Sequence, residues 1–237
     1  MKYENTLHIA TPTKSHVNAR YVKSINGVLF SDICDKIKMN VTFDVYVGKS
    51  NIVHFRSLIL TRWYDNSKDG DLFLFLDSDH VFLKDDIIKL VELKDCDVSC
   101  GIYSNSLGGP NAYANDLEAF LDNYRDNRLL YAGTGYMLIR RPICTKIKNY
   151  FEQTYGYSRV CIDGNDTKHL IPFFRTIFID SENGIEPLDV KHWLGEDGSF
   201  CWLVRHCGGV IRGFLSQTLG HEVLNVKTFY PDNFVKY

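Results

Sequence analysis

Asp77 and Asp79 stand directly after Leu72-Phe73-Leu74-Phe75-Leu76. Five consecutive apolar residues, preceded by Gly70 and Asp71, predict a strand buried on both faces. In an open α/β sheet, ligands bind in the crevice beyond the carboxyl ends of the strands. Two carboxylates placed there repel each other and resist desolvation unless positive charge lies between or beside them. A hard divalent cation meets that need and can hold a phosphate ester at the same time. Asp-Ser-Asp is also ordinary turn chemistry after a strand, so the pair gains meaning only from where its strand sits.

Four further groups could share that chemistry. His221 follows Gly220 near the C-terminus; a neutral imidazole would move an oxygen-rich site toward manganese rather than magnesium. The chain has 8 histidines, so a surface histidine is the alternative. Glu196 and Asp197 lie between Gly195 and Gly198, ahead of an apolar segment. They read either as cap or first-turn acids held by the helix dipole or as oriented carboxylates that accept a hydrogen bond from a substrate hydroxyl. Arg56, after Asn51, precedes the acidic strand. It is suited to a nucleotide base or phosphate, or is a solvated arginine on an amphipathic helix. Thr11-Pro12-Thr13 ends the first strand, where backbone and hydroxyls can contact a nucleoside. Gly133-Thr134-Gly135 lacks phosphate-loop spacing; its glycines let backbone approach a sugar ring.

The elements that must position these residues alternate. Leu7–Ala10 predicts a strand, Val17–Phe30 a helix, Phe43–Val47 a strand and Ile52–Tyr64 a helix, followed by Leu72–Leu76. Asp85 or Asp86 is expected to cap a short helix through Leu93, and Asp97–Tyr103 reads as another strand. This β-α-β-α-β order predicts an α/β fold around a mostly parallel, doubly wound sheet. It puts the acids near the middle of that sheet. The second half is less regular: a loop at Leu107–Asn111, a strand at Tyr136–Ile139, and a helix opened by Pro142 and running to about Phe151. A strand over Phe174–Ile179, a helix over Phe200–Cys207 and a last strand over Val210–Leu215 follow, with Leu219–Glu222 in the tail. One domain is expected over residues 1–237, with a nucleotide-binding half (1–103) and a sugar- or acceptor-binding half (104–237).

At 237 residues and net charge −2, with pI near 6.4, broad electrostatic binding to nucleic acid or an anionic membrane is disfavoured. No apolar run is long enough to span a bilayer, and Met1–Asn5 lacks a signal-peptide pattern, so a soluble, cytoplasmic protein is expected. The 7 cysteines are odd in number and irregularly spaced, without a Cys-x-x-Cys. A disulfide framework or thiolate zinc site is therefore not expected.

Together, Leu72–Leu76 with the DxD at Asp77-Ser78-Asp79, the Gly133–Arg141 segment, Gly195-Glu196-Asp197 and Leu219-Gly220-His221 resemble a glycosyltransferase of the GT-A fold. The compact chain is similar to small glycosyltransferase domains encoded by large DNA viruses of algae and amoebae. The resemblance implies that Asp77, Asp79 and His221 hold Mn²⁺ or Mg²⁺ on the diphosphate of a nucleotide sugar, usually a UDP-sugar. It implies that Thr11, Pro12, Thr13, Asn51 and Arg56 hold the nucleoside, that Ser78 lies near the ribose, and that Gly133, Thr134 and Gly135 approach the sugar. Glu196 and Asp197 would then sit near the sugar and a glycan or other hydroxyl acceptor. Asp197 is the candidate base if configuration inverts; if it is retained, as a C-terminal histidine ligand favours, a diphosphate oxygen takes the proton. Two other readings compete. Strand-then-DxD also fits an aspartyl-phosphate phosphohydrolase with Asp77 as nucleophile, although two strand–helix units come first and a later acidic pair is poorly matched. A sugar- or nucleotide-binding module without activity is the other.

Overall fold

A computed structural model describes residues 2–48, 51–103, 111–113, 129–162, 165–179, 192–215, 219–222 and 226–228. In chain order the first part contains β1 (Thr6–Thr13), α1 (Ala19–Leu29), α2 (Ile33–Ile37), β2 (Asn40–Val47), α3 (Ile52–Asn66), β3 (Leu72–Leu76), β4 (His80–Val81), α4 (Lys84–Glu92) and β5 (Val98–Ile102). There follow β6 (Ala112–Tyr113), β7 (Tyr131–Ala132), β8 (Tyr136–Arg140), α5 (Arg141–Tyr155), β9 (Val160–Ile162), β10 (Asn165–Leu170), β11 (Ile177–Ile179) and β12 (His192–Leu194). The last elements are α6 (Glu196–His206), β13 (Ile211–Leu215), β14 (Gly220–Glu222) and β15 (Val226–Thr228).

The α/β architecture is built on a six-stranded sheet in the order β13-β5-β8-β3-β1-β2. All neighbours pair in parallel except β8, which runs antiparallel to both β3 and β5. The sheet is thus mostly parallel, as expected. Because β8 and β13 come from beyond residue 103, the two expected halves share one sheet.

Strand β3 is buried along its whole length, and its side chains alternate between two cores. Phe73 and Phe75 pack with Ile59, Leu60 and Trp63 of α3, with Ile143 and Ile147 of α5, and with Phe200 and Leu203 of α6. Leu72, Leu74 and Leu76 pack with Tyr21, Ile25 and Val28 of α1 and with Ile87 and Leu90 of α4. Each fully buried Leu or Phe contributes about 1.5–3 kcal/mol, so this strand is firmly held.

Element ends differ from the sequence expectations for local reasons. The Asn18 side chain accepts from the Arg20 N–H (3.0 Å), which starts α1 at Ala19. Neither Asp85 nor Asp86 is the cap of α4: Asp86 sits in the first turn and reaches back to the Leu83 N–H (2.9 Å). Helix α6 begins at Glu196, with Gly195 as its cap, so Asp197 is a first-turn acid. The strand expected over Phe174–Ile179 is confined to Ile177–Ile179, because Phe174 spends both backbone groups on the Ser57 hydroxyl (2.9 Å each). The expected tail at Leu219–Glu222 contains β14, which pairs with β4. Leu107–Pro110 of the expected loop lie outside the described residues.

Candidate active site

The carboxyl ends of β1, β2 and β3 open onto one edge of the sheet. The antiparallel β8 begins there too, since Leu76 pairs with Tyr136. The segment Gly133–Gly135 is thereby set beside the acids, and the Asp77 N–H donates to the Gly135 carbonyl (2.9 Å). A Cβ on Gly135 would lie 2.6 Å from the Tyr103 hydroxyl, 2.7 Å from His80 Cε1 and 2.9 Å from Asp77 Oδ2. Only glycine fits that contact.

Arg56 is the centre of the site. Asn51 caps α3 by accepting from the Val53 N–H (3.0 Å), and Arg56 lies on the helix's buried face at 6% exposure. Its Nη2 donates to both oxygens of Asp77 (3.1 and 2.9 Å). Its Nη1 reaches Asp197 Oδ1 (3.0 Å) and Glu196 Oε1 (3.4 Å). The Thr134 hydroxyl donates to the same Asp197 Oδ1 (2.5 Å). Burial alone would disfavour the charge on Arg56, but the carboxylates of Asp77, Asp197 and Glu196 override it and raise its pKa. Asp197 moves the other way from a paired surface acid. Burial raises its pKa above 3.8, only partly offset by Arg56 and Thr134.

The acids of α6 reach this centre through aromatic packing. Phe75 of β3 meets Phe174 edge-on (5.6 Å between centroids), and Phe174 stacks on Phe200 of α6 (4.6 Å). The Ser199 hydroxyl also accepts from the Arg175 N–H (3.3 Å), tying the first turn of α6 to the same segment.

Asp79 differs from Asp77. Its side chain is 42% exposed, and its Oδ1 lies 3.2 Å from Nδ1 of the buried His80. The His80 ring is wedged edge-on against Tyr103 (4.4 Å). Strand β4 follows Asp79 at once, and its pairing with β14 sets His221 in register opposite His80. Among the described residues, no group of three or more His, Cys, Asp or Glu side chains is arranged to hold a metal ion.

A cleft of 350 Å³ runs along this edge, lined by Pro12, Thr13, Lys14, Gly48, Ile52, Phe55, Arg56, Asp77, Ser78 and Asp79. That volume suits a small-molecule site, for which about 300–1,000 Å³ is usual. Of the residues expected to contact a ligand, Pro12, Thr13, Arg56 and Ser78 line the cleft. Thr11 does not: it is buried, with its hydroxyl bonded to that of Tyr21. Asn51 caps α3 and lines a separate cleft of 260 Å³ with His54 and Arg175. The positive charge expected beside the acidic pair is, at Asp77, a guanidinium. Lys14, Gly48 and Phe55 are lining residues that the sequence did not single out. Phe55 carries an apolar helix signal indistinguishable from core, and its ring takes the space of a Gly48 side chain, 2.7–2.9 Å from where that Cβ would be.

The fold and site thus define an α/β protein with an acidic sheet edge and a buried arginine behind it. No family model matches the chain, and no curated protein matches it. Among solved structures it is similar to A197 from STIV, at 16% identity and TM-score 0.48 over 99% of both chains. It is also similar to GalNAc-T7, solved with UDP, GalNAc and Mn²⁺, at 12% identity and TM-score 0.49, covering 92% of this chain and 44% of that one. A third is a glycosyltransferase involved in the glycosylation of the major capsid of PBCV-1, at 14% identity and TM-score 0.35, covering 64% of this chain and 72% of that one. These are likenesses of chain path; the chemistry rests on this chain's own residues.

Proposed function

We propose that this chain is a glycosyltransferase that moves a sugar from a nucleoside-diphosphate donor, a UDP-sugar first, to a hydroxyl acceptor. The observation that carries the reading is the Arg56 centre. One buried guanidinium joins Asp77, in the lining of the cleft, to Asp197, 141 residues further along the chain than Arg56.

A divalent cation fits this edge as an ion shared with phosphate rather than as a caged one. Asp77 is committed to Arg56, whereas Asp79 is half exposed at the cleft. Small hard cations are commonly held by one or two carboxylates plus substrate phosphates. Asp79 would hold it, with His221 of β14 as the second ligand. Once bound, such an ion stabilises negative charge growing on a departing diphosphate without proton transfer.

The remaining work belongs to the chain's own groups. Arg56 and Thr134 both hydrogen-bond Oδ1 of Asp197; Oδ2, which takes no hydrogen bond among the described residues, would accept one from a sugar hydroxyl. Burial makes that carboxylate a stronger acceptor than a solvated one. Its tie through Arg56 to Asp77 supports a role for Asp197 in orienting the donor, with configuration retained. Aspartyl-phosphate chemistry would need a free Asp77, and both its oxygens accept from Arg56.

The test is a screen of UDP- and GDP-sugars for Mn²⁺-dependent release of nucleoside diphosphate. Turnover of at least one UDP-sugar is expected, lost in Asp79→Ala. Equal turnover by Asp79→Ala, or binding of UDP without turnover of any donor, would overturn the reading. So would hydrolysis of p-nitrophenyl phosphate abolished by Asp77→Asn.

A further inference from the structure

The lining of the cleft is of two chemical kinds. Pro12, Ile52 and the Phe55 ring, which takes the space of a Gly48 side chain, are apolar. Thr13, Lys14, Arg56, Asp77, Ser78 and Asp79 are polar or charged. The two cations of this lining are not equivalent. Both terminal nitrogens of Arg56 are engaged by carboxylates at 2.9–3.4 Å. Lys14 is exposed and has no ion pair or hydrogen bond among the described residues. Asp79 adds a further negative charge to the lining, so an anion entering the cleft meets repulsion that Arg56, already outnumbered by acids, does not offset.

We propose that Lys14 is the residue that contacts the diphosphate of the bound nucleotide. The inference rests on the nucleotide-sugar reading above and extends it to a residue outside the DxD and its partners. An ammonium on a flexible four-carbon stem suits this role. It can follow a phosphate group from ground state to departure, which a guanidinium fixed on three carboxylates does not. The apolar lining residues then take the flat base, and Lys14 distinguishes a nucleoside diphosphate from its uncharged nucleoside.

Calorimetric titration with UDP and with uridine, each with and without Mn²⁺, tests this on the full chain. The comparison is among the wild type, Lys14→Ala and Lys14→Arg. Lys14→Ala is expected to weaken UDP about tenfold, as loss of one charged hydrogen bond does, and to leave uridine unchanged. Lys14→Arg should recover most of the loss, and raising the salt should weaken UDP less in Lys14→Ala than in the wild type. Equal UDP affinity in wild type and Lys14→Ala overturns the assignment while leaving the nucleotide site standing. A wild-type chain that binds neither UDP nor uridine defeats the nucleotide reading itself. Matching circular dichroism and melting curves establish that the variants fold.

Discussion

Around Arg56 one positive charge faces three carboxylates, so the group carries more negative than positive charge before any ligand arrives. Removing the guanidinium would leave Asp77, Glu196 and Asp197, each 24–29% exposed, without their counter-charge. Breaking a buried ion pair from one side costs about 3–5 kcal/mol, and partial hydration of these acids places Arg56→Met at about 3 kcal/mol, readable by urea unfolding. Arg56→Lys keeps the charge but cannot span Asp77 and Asp197 together; it is expected to lose less stability than Arg56→Met and most of the turnover. A loss below about 0.5 kcal/mol in Arg56→Met, the size of an ordinary surface change, would contradict the burial argument. Asp197 gives a pH prediction. Its pKa in the folded chain is raised above 3.8, first by burial. Protonation therefore sets in at higher pH than for a solvated aspartate, and the hydrogen-bond acceptor is lost as pH falls through that raised value. The sign for stability is the reverse of a salt-bridged acid: this group favours the folded state below about 3.8 and that contribution is lost as pH rises through the folded-state pKa. The acid limb of kcat/KM should lie above 3.8 and be missing from the residual activity of Asp197→Asn. An unchanged limb in that variant would assign it to another group.

At the scale of elements, the site depends on one strand running backwards. Only because β8 is antiparallel does its amino end, with Gly133–Gly135, arrive where β3 delivers Asp77. Gly135→Ala would put a methyl carbon within 3 Å of Tyr103, His80 and Asp77 at once. Overpacking of this kind costs about 1–3 kcal/mol. The expected result is a folded variant with turnover lost well beyond that stability loss, measured by melting and by donor turnover side by side. Wild-type turnover would show that the acids tolerate displacement. Strand β3 is legible to the residue because five apolar side chains bounded by polar ones admit no other register. The reversal of β8 is not, since a doubly buried strand reads alike in either direction and polarity is set by tertiary pairing. Strands β4 and β14 are too short to carry periodicity, yet they bring His221 into register opposite His80. Arg56 shows the opposite limit. Its residue type was legible, but whether it faced solvent or core depended on which acids returned from 141 residues away. Asn51 and Thr11 read as ligand contacts, while local chemistry spends one on a helix cap and the other on Tyr21.

For the whole molecule, that long-range closure would join binding of the proposed ligand to global stability. The cleft is walled by β1, β2, α3 and the end of β3, whereas Arg56 behind it holds Glu196 and Asp197 of α6. The two cores meet on opposite faces of β3, and opening either would release the acids at its end. Net charge is −2, and no helix among the described residues is long and apolar enough to cross a membrane. On a chain of this net charge, the small anionic ligand with its cation proposed above suits an acidic edge better than a polyanionic surface would. Anything that binds only the folded chain stabilises it by RT ln(1 + [L]/Kd), about 2.7 kcal/mol at a hundredfold excess over Kd. For a chain of this length each kcal/mol raises the melting temperature by roughly 2–4 °C. UDP with Mn²⁺ at that excess should raise it by about 5–10 °C. Uridine at the same concentration should raise it far less, and Asp79→Ala should lose the part that depends on Mn²⁺. Melting curves unmoved by any nucleoside diphosphate, with or without the metal, would place the ligand elsewhere and leave the acidic edge of β3 without the role argued for it.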